Sequence, residues 1–419
     1  MTEICKQRLN ISRFAQFWRR PRFGLFFAVS GILFCSSCRE NSPDESLRKS
    51  GEDQTSTDHD WPLFRFDAKM QGAVPETIQP PLSLAWTFET ALEGEGRPAP
   101  LEASPVIANG IIYLGTQDGL FLAIDLADGS LVWSVELDAP ITAPAAVDDT
   151  AVYVGDNFGF IHAFDRSSGE PIWQFETEGK IEGGINLLET PYGLRLFVGS
   201  HDFFLYCLDA TTGEEIWRYE TDNYVVATPT VMGEEGSESV CFGGCDKLLH
   251  LVPIDGESEK REVDIGAFVA NTSAVADGIC YVAHNEGAIV AIDVASGETV
   301  WTTLNDGEHT ASPAVDATTL YVASSNKKLL ALDRVTGEPR WTFLAPRSLD
   351  SSPVVTGDIL WQAAMNGLFY ALSVESGEEI WSYDVGARLQ ASPAVSRGTV
   401  VIGGGDGVVY AFKSDASNS

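Results

Sequence analysis

From residue 82 onward apolar and polar positions alternate in short runs, each closed by a turn rich in Gly, Asp or Asn. Ile112-Tyr113-Leu114-Gly115, Val152-Tyr153-Val154-Gly155 and Leu320-Tyr321-Val322-Ala323 are typical. Period-2 alternation over so few residues predicts β-strands with one or both faces buried, not helices. Most of these runs follow a segment ending in proline: Ser104-Pro105, Ala143-Pro144, Thr228-Pro229, Ser312-Pro313, Ser352-Pro353 and Ser392-Pro393. They lead into Gln117-Asp118-Gly119, Asn157-Phe158-Gly159, Asn366-Gly367 or Asp406-Gly407, residues that supply the positive φ a tight hairpin needs. The 39 glycines of this 419-residue chain fit a fold made of many short strands and many turns.

The runs belong to a repeat. A small residue is followed by Asp two positions on, Gly six on and Trp ten on, at Ala123-Asp125-Gly129-Trp133, Ala163-Asp165-Gly169-Trp173 and Cys207-Asp209-Gly213-Trp217. The same spacing returns at Ala291-Asp293-Gly297-Trp301 and Ala331-Asp333-Gly337-Trp341, and with Ser for Asp at Ala371-Ser373-Gly377-Trp381. Trp133 and Trp173, Trp301 and Trp341, and Trp341 and Trp381 stand 40 residues apart, while Trp217 and Trp301 are separated by 84, two periods with one Trp missing. A period near 40 with four strands per unit predicts an all-β propeller. Second strands centred near 112, 152, 196, 240, 280, 320, 360 and 400 give eight blades of four antiparallel strands. Seven fourth strands follow their own units, the Trp-less one at 262–268, and after the eighth unit the chain has run out. The spare strand precedes the first unit, Leu84-Ala85-Trp86-Thr87-Phe88-Glu89, so the ring is expected to close by pairing this N-terminal strand with the last unit. The propeller is bounded at 82–413, with a lead-in at 61–81 and a tail at 414–419.

The Ala-x-Asp…Gly…Trp motif resembles the tryptophan-docking motif of the pyrroloquinoline-quinone-like propeller family, and the likeness covers residues 82–412. Asp60-Trp61-Pro62-Leu63-Phe64-Arg65 likewise looks like the Trp-Pro-Gln-Phe-Arg opening found before such propellers in planctomycete-type bacteria. The resemblance implies one of two branches. One is the quinoprotein alcohol dehydrogenases, which hold the quinone with calcium. The other is the shorter, cofactor-free propellers, including the lipoprotein subunit of the outer-membrane β-barrel assembly machinery, and a bare eight-bladed ring fits that branch better. The dehydrogenases carry a vicinal Cys-Cys pair beside the cofactor, which this chain lacks. In this family the docking tryptophans, Trp86, Trp133, Trp173, Trp217, Trp301, Trp341 and Trp381, are structural wedges between blades. A fully buried Trp truncated to Ala costs about 3–5 kcal/mol.

The N-terminus has a different character. Residues 6–22 are basic, Phe23–Phe34 is apolar, and Cys35-Ser36-Ser37-Cys38 follows. That order predicts an export signal at 1–37, with an apolar run too short to span a bilayer. Ser36-Ser37-Cys38 resembles a bacterial lipobox, with Cys38 as the acylated residue, although Cys35 stands where Leu is usual. Residues 38–60 are polar and charged and read as a flexible tether. The expected location is therefore the periplasm or cell envelope, with the protein anchored to a membrane by its N-terminal lipid.

The net charge of −33, carried on a chain whose leader is basic, disfavours nucleic acid as a partner. The once-per-unit Asp125, Asp165, Asp209, Asp293 and Asp333 are expected to accept backbone N–H bonds within turns rather than to converge on a metal. Beyond the leader, Cys207, Cys241, Cys245 and Cys280 lack zinc-finger spacing and read as core thiols, with disulfides open to them in an oxidising compartment. No Gly-x-Ser-x-Gly elbow, P-loop or dinucleotide fingerprint is present. One candidate site remains. The loops entering each blade should gather at one mouth of the central channel, offering Glu102, Glu182, Asn271, His309, Asp350, Arg388 and Gln390 to a polar ligand or peptide. The expected function is non-catalytic, an envelope scaffold for protein partners, as a monomer or within a hetero-complex. The alternatives are a quinoprotein dehydrogenase using pyrroloquinoline quinone and calcium, and a binder of carbohydrate or another small ligand at the mouth.

Overall fold

The computed structural model describes residues 60–91, 97–233 and 236–414, all within the compact unit Thr55–Ser419. The export signal, Cys38, the tether up to residue 59 and the tail beyond Ser414 lie outside the described residues. Eight antiparallel four-stranded sheets follow one another along the chain, one of them extended by a short fifth strand. They are the blades of an eight-bladed β-propeller. We number them from Val106–Glu136 (blade 1) to Ala394–Ser414 (blade 8). The first strand of each blade is two to five residues long and lies at the inner edge of its sheet, except in blade 7, where Ala73–Val74 pairs parallel on its inner side.

Blade 8 holds three strands of its own, Ala394–Ser396, Thr399–Gly403 and Val408–Ser414. Its outer strand is Leu82–Glu89, which pairs antiparallel with Val408–Ser414 from Leu82↔Ser414 to Glu89↔Val408. The last strand thus runs one residue past the expected boundary at 413. This pairing leaves no blade with a three-stranded edge.

The second and third strands carry the apolar load. Ile112, Leu122, Val152, Ile161, Leu196, Leu205, Leu320 and Leu329 are fully buried, and clusters of such residues span neighbouring blades. Burial at about 25 cal/mol per Å² over this repeated surface is the main force holding the ring together.

The docking tryptophans repeat one contact. Apart from Trp381, which packs on Phe412 of blade 8, each indole lies against the glycine of the next blade's outer turn, where a Cβ on Gly129, Gly169, Gly213 or Gly337 would strike Trp86, Trp133, Trp173 or Trp301. The Nε1–H of six of the seven, all but Trp381, donates to a carbonyl of that turn, as from Trp86 to Leu126 at 3.1 Å, Trp133 to Arg166 at 3.0 Å and Trp341 to Val374 at 2.9 Å. Those glycines have φ near +75° and are needed twice, for the left-handed turn and for the close approach of the ring. The turn aspartates do what their spacing suggests: Asp125 Oδ1 accepts from Ala127 N–H at 2.7 Å, and Asp333 Oδ1 from Thr336 N–H at 3.0 Å. Apart from Trp133, the docking rings are only partly buried. Their loss is therefore expected at the low end of the range for buried tryptophan.

Blade 4 shows how the contact survives without tryptophan. Its outer strand is Arg261–Asp264, four residues instead of the stretch expected at 262–268. Arg261 takes the place of the indole. Its Nη1 donates to the carbonyls of Val294 (3.0 Å) and Ala295 (2.6 Å) in the next blade's turn, and its stem covers Gly297. An exposed guanidinium excludes little apolar surface. Arg261→Ala should therefore cost no more than about 1 kcal/mol and Trp341→Ala about 3 kcal/mol, read by chemical denaturation. Amide exchange should also be faster at 261–264 than at 339–344.

The lead-in encircles the channel. Trp61 exchanges both backbone hydrogen bonds with Ile107 at 2.7 and 2.8 Å. The carbonyl of Pro62 then accepts from Val147, that of Ala68 from Val231, Lys69 from Val275, Gln71 from Val315 and Gly72 from Val355. These donors are equivalent residues of the innermost strands of blades 1, 2, 4, 5, 6 and 7, taken in ring order. Blade 3 joins through Asn186 Nδ2, which donates to the Ala68 carbonyl at 2.8 Å. The lead-in therefore satisfies the inward-facing N–H groups that the inner strands leave unpaired. Trp61 and Met70 are almost fully buried by it. Arg65 is buried too, and its Nη2 donates to the Pro313 carbonyl of blade 6 at 3.0 Å. Burial brings that guanidinium down to about 9.

Candidate functional site: the channel mouth

The strand order gives the ring two unlike faces. One carries the hairpins between first and second strands and the docking turns. The other carries the turns between second and third strands and the loops that lead into each blade. The lead-in occupies the channel toward the first face. On the second face the channel opens into a cavity of about 530 Å³, with Phe64 of the lead-in among its walls.

The repeat fixes the chemistry of this mouth. In every entering loop but that of blade 6 one position carries a buried apolar residue, such as Leu101, Ile141, Ile181, Leu349 or Leu389. The next position turns toward the channel and holds Glu102, Glu182, Asp350 or Gln390, all of which line the cavity. Two residues further on stands a hydroxyl. Thr228, Thr272, Ser312, Ser352, Ser392 and Ser104 form a chain in which the backbone N–H of one blade donates to the hydroxyl of the next. The links run from Gly184 to Thr228 at 2.8 Å, onward at 3.0–3.1 Å, and finally from Ser392 to Ser104 at 2.9 Å. This hydrogen-bonded belt holds the cavity wall in place. Pro144 and Gly184 interrupt it at blades 2 and 3.

Of the seven residues expected at the mouth, Glu102, Glu182, Asn271, Asp350 and Gln390 line this one cavity. His309 and Arg388 do not. His309 occupies the position that other loops fill with a buried Leu, Ile or Val. It is 1 % exposed, its Nδ1 meets the Ala323 carbonyl at 3.0 Å, and desolvation lowers its pKa. Arg388 lies one position earlier, out on the rim, with its side chain along Gly405. Glu308, at the same rim position in blade 6, does reach the cavity.

Glu182 is the most tightly held carboxylate. His201 Nε2 meets its Oε2 at 2.8 Å and Lys180 pairs with its Oε1. The His201 hydrogen bond chiefly brings it down to about 2. It therefore stays ionised at any physiological pH, and the stability it lends is lost only as pH falls from the ordinary carboxylate range toward 2.

Sequence reasoning missed what lies beside Glu182. His201 stacks on Tyr224 at 4.6 Å between ring centroids, and Tyr224 packs on Phe203 at 5.4 Å. Phe203 is 40 % exposed and Tyr224 44 %. Phe158 and Phe268 stand exposed on the same face. The signal was present in the repeat: Phe203 fills the turn position held by Gly119, Gly159, Gly287, Gly367 and Gly407 in other blades.

A quinone with its calcium does not fit this donor set. The cavity walls carry Glu102, Glu182, Glu308 and Asp350 and no lysine or arginine, whereas the quinone brings three carboxylates of its own. Among the described residues no three His, Cys, Asp or Glu side chains converge on a metal position. Cys207, Cys241, Cys245 and Cys280 are free thiols, with Cys241 and Cys280 Sγ atoms 3.2 Å apart across blades 4 and 5.

Comparison with known proteins agrees with this architecture. The chain is similar in structure to BamB from Moraxella catarrhalis, with 20% identity and a TM-score of 0.64 over 81% of this chain and 100% of that one. It is also similar to the quinohemoprotein alcohol dehydrogenase from Comamonas testosteroni, with 14% identity and a TM-score of 0.73 over 87% and 82%. A europium-containing methanol dehydrogenase gives 14% identity and a TM-score of 0.62 over 85% and 98%. At these identities the likeness is one of fold. No curated protein matches the sequence. The family profile described as outer membrane protein assembly factor BamB matches residues 82–159, 157–237, 253–350 and 344–418, and the chain belongs to that family of pyrroloquinoline-quinone-like propellers.

Proposed function

We propose that this chain is an exported, non-catalytic binding module of the cell envelope, held to a membrane by a lipid on Cys38 and presenting its channel mouth to protein partners in a hetero-complex. The observation that carries this reading is the asymmetry of the channel. The chain's own lead-in fills it toward one face, and the other face opens on a carboxylate-walled cavity with exposed aromatic residues at its rim. Family membership supports an envelope location and an assembly role.

The attachment point supports the orientation. Asp60, where the described domain begins, accepts the N–H of Asn109 at 2.8 Å in the first hairpin of blade 1, on the face away from the mouth. A tether joined there leaves the mouth clear.

A photo-crosslinking residue at Phe158, on the mouth face, is expected to give a discrete adduct with one envelope protein in intact cells. The same residue at Val335, on a docking turn of the other face, should give none. Equal labelling from both positions, or none from Phe158, would count against the reading. Palmitate labelling and membrane sedimentation should both disappear in Cys38→Ala.

A further inference from the structure

The cavity lining is acidic and holds an unused acceptor. Glu102, Glu182, Glu308 and Asp350 share the cavity with no cationic side chain. Glu182 is already paired with Lys180 and His201, whereas Glu102, Glu308 and Asp350 have no cationic partner among the described residues. Arg65 of the lead-in is buried and donates to Pro313. Asn271, also in the wall, is 3 % exposed. Its Nδ2 donates to the carbonyls of Ala283 and His309 at 2.8 and 2.9 Å, which fixes the amide orientation. Its Oδ1 is therefore the free end, buried and without a donor. A buried acceptor left unmade is costly, and this one shares the cavity wall with carboxylates, so the ligand chemistry the wall suits is a hydrogen-bond donor with positive charge.

Beside the carboxylates lies a strained aromatic shelf. Phe203 holds φ at +77°, a conformation that five equivalent turns give to glycine and that a bulky side chain adopts only at a cost. The strain places an exposed ring against Tyr224, which stacks on His201, which bonds Glu182. Phe268 repeats Tyr224's rim position in the next blade, 42 % exposed. Apolar rings and anionic acceptors thus adjoin, as they must for a partner that is apolar and cationic at neighbouring positions.

We propose that the mouth captures an extended basic segment of a partner protein, with one arginine or lysine side chain entering the cavity toward Glu102, Asp350 and Asn271 and the adjacent apolar residue lying on Phe203 and Tyr224. This rests on the scaffold reading above and names the partner's chemistry. The overall acidity of the chain favours such a segment electrostatically at long range. Bound in extended form, the segment places alternate side chains on the two subsites, the charged one in and the apolar one across the rim.

The test uses the purified full-length chain and two labelled peptides, Gly-Leu-Arg-Leu-Gly and the same sequence with citrulline, which keeps arginine's shape and removes its charge. Fluorescence anisotropy should show the arginine peptide binding at least about ten-fold more tightly, the preference shrinking as salt is raised. Glu102→Gln combined with Asp350→Asn should bring the arginine peptide to the citrulline level. Phe203→Gly relieves the turn, so the fold should be retained or stabilised while both peptides weaken by about five-fold. Equal affinity for the two peptides, an arginine preference untouched by the double variant, or binding of calcium ions with neither peptide bound would overturn the proposal. If the Phe158 adduct persists in cells while the peptides show no charge preference, the scaffold reading stands and the cation subsite falls.

Discussion

Deleting residues 82–90 is expected to destroy the cooperative monomer. The Leu82–Glu89 strand is the outer strand of blade 8, paired with Val408–Ser414 along its length. Without it that last strand becomes a bare edge of seven residues carrying buried Val409, Ala411 and Phe412, a template for pairing with another copy. Trp86 is lost with it, and with Trp86 the only docking contact that ties blade 8 to the Leu126 carbonyl and Gly129 of blade 1. The ring would then be held at this seam only by the packing of blade 8's remaining strands on blade 1 and the Ser392–Ser104 and Lys413–Ala127 hydrogen bonds, with the outer edge of blade 8 open. Size-exclusion chromatography with light scattering should report oligomers, and thermal unfolding should lose its single sharp transition. A deletion variant that is monomeric and as cooperative as the parent would contradict this closure.

The second large effect concerns the lead-in. Replacing residues 61–76 with a Gly/Ser linker, so that strand 82–89 keeps its connection, removes the acceptors for the N–H groups of Ile107, Val147, Val231, Val275, Val315 and Val355. At a net 0.5–1.5 kcal/mol per hydrogen bond the six together are worth about 3–9 kcal/mol. The loss of buried Trp61 and Met70 adds to this. Hydrogen-exchange mass spectrometry should show deprotection of all six inner strands at once, while the second and third strands keep their protection until global unfolding. Protection of the inner strands equal to the parent's would mean that the lead-in is not their partner.

The fold was legible because it repeats. Each blade solves the same packing problem, so Ala163-Asp165-Gly169-Trp173 and its five companions reveal the third strand, the turn and the fourth strand together. The eight second strands fall where the spacing put them. Where a blade keeps the contact but changes the residue, the pattern failed. Arg261 does the work of a tryptophan through two hydrogen bonds, and no rule of apolar spacing finds an arginine in that role. The lead-in has no period of its own because each of its residues faces a different blade. Its turns use positive φ at Arg65, Phe66 and Met70, residues that carry no turn signature.

The candidate site was legible in outline for the same reason. Aligning the loops on their Ser-Pro segments identified the channel-lining position, and Glu102, Glu182, Asp350 and Gln390 occupy it. His309 could have been excluded from the repeat alone, since it aligns with Leu101, Leu349 and Leu389, all buried. Phe203 could have been found, as the one aromatic residue at a turn position held elsewhere by Gly or Lys. The stack from Phe203 through Tyr224 and His201 to Glu182 joins residues from two loops and a turn, and only three-dimensional proximity reveals it.

Under the proposed function the mouth recognises partners and performs no quinone chemistry. The direct measurement incubates the purified chain with pyrroloquinoline quinone and calcium, removes free quinone by gel filtration, and records both the quinone absorbance retained and dye reduction with a panel of alcohols and sugars. The carboxylate-walled mouth predicts no retained quinone and no dye reduction. Stoichiometric quinone with substrate-dependent dye reduction, both lost in Asp350→Asn or Glu182→Gln, would contradict the account and make the mouth an active site.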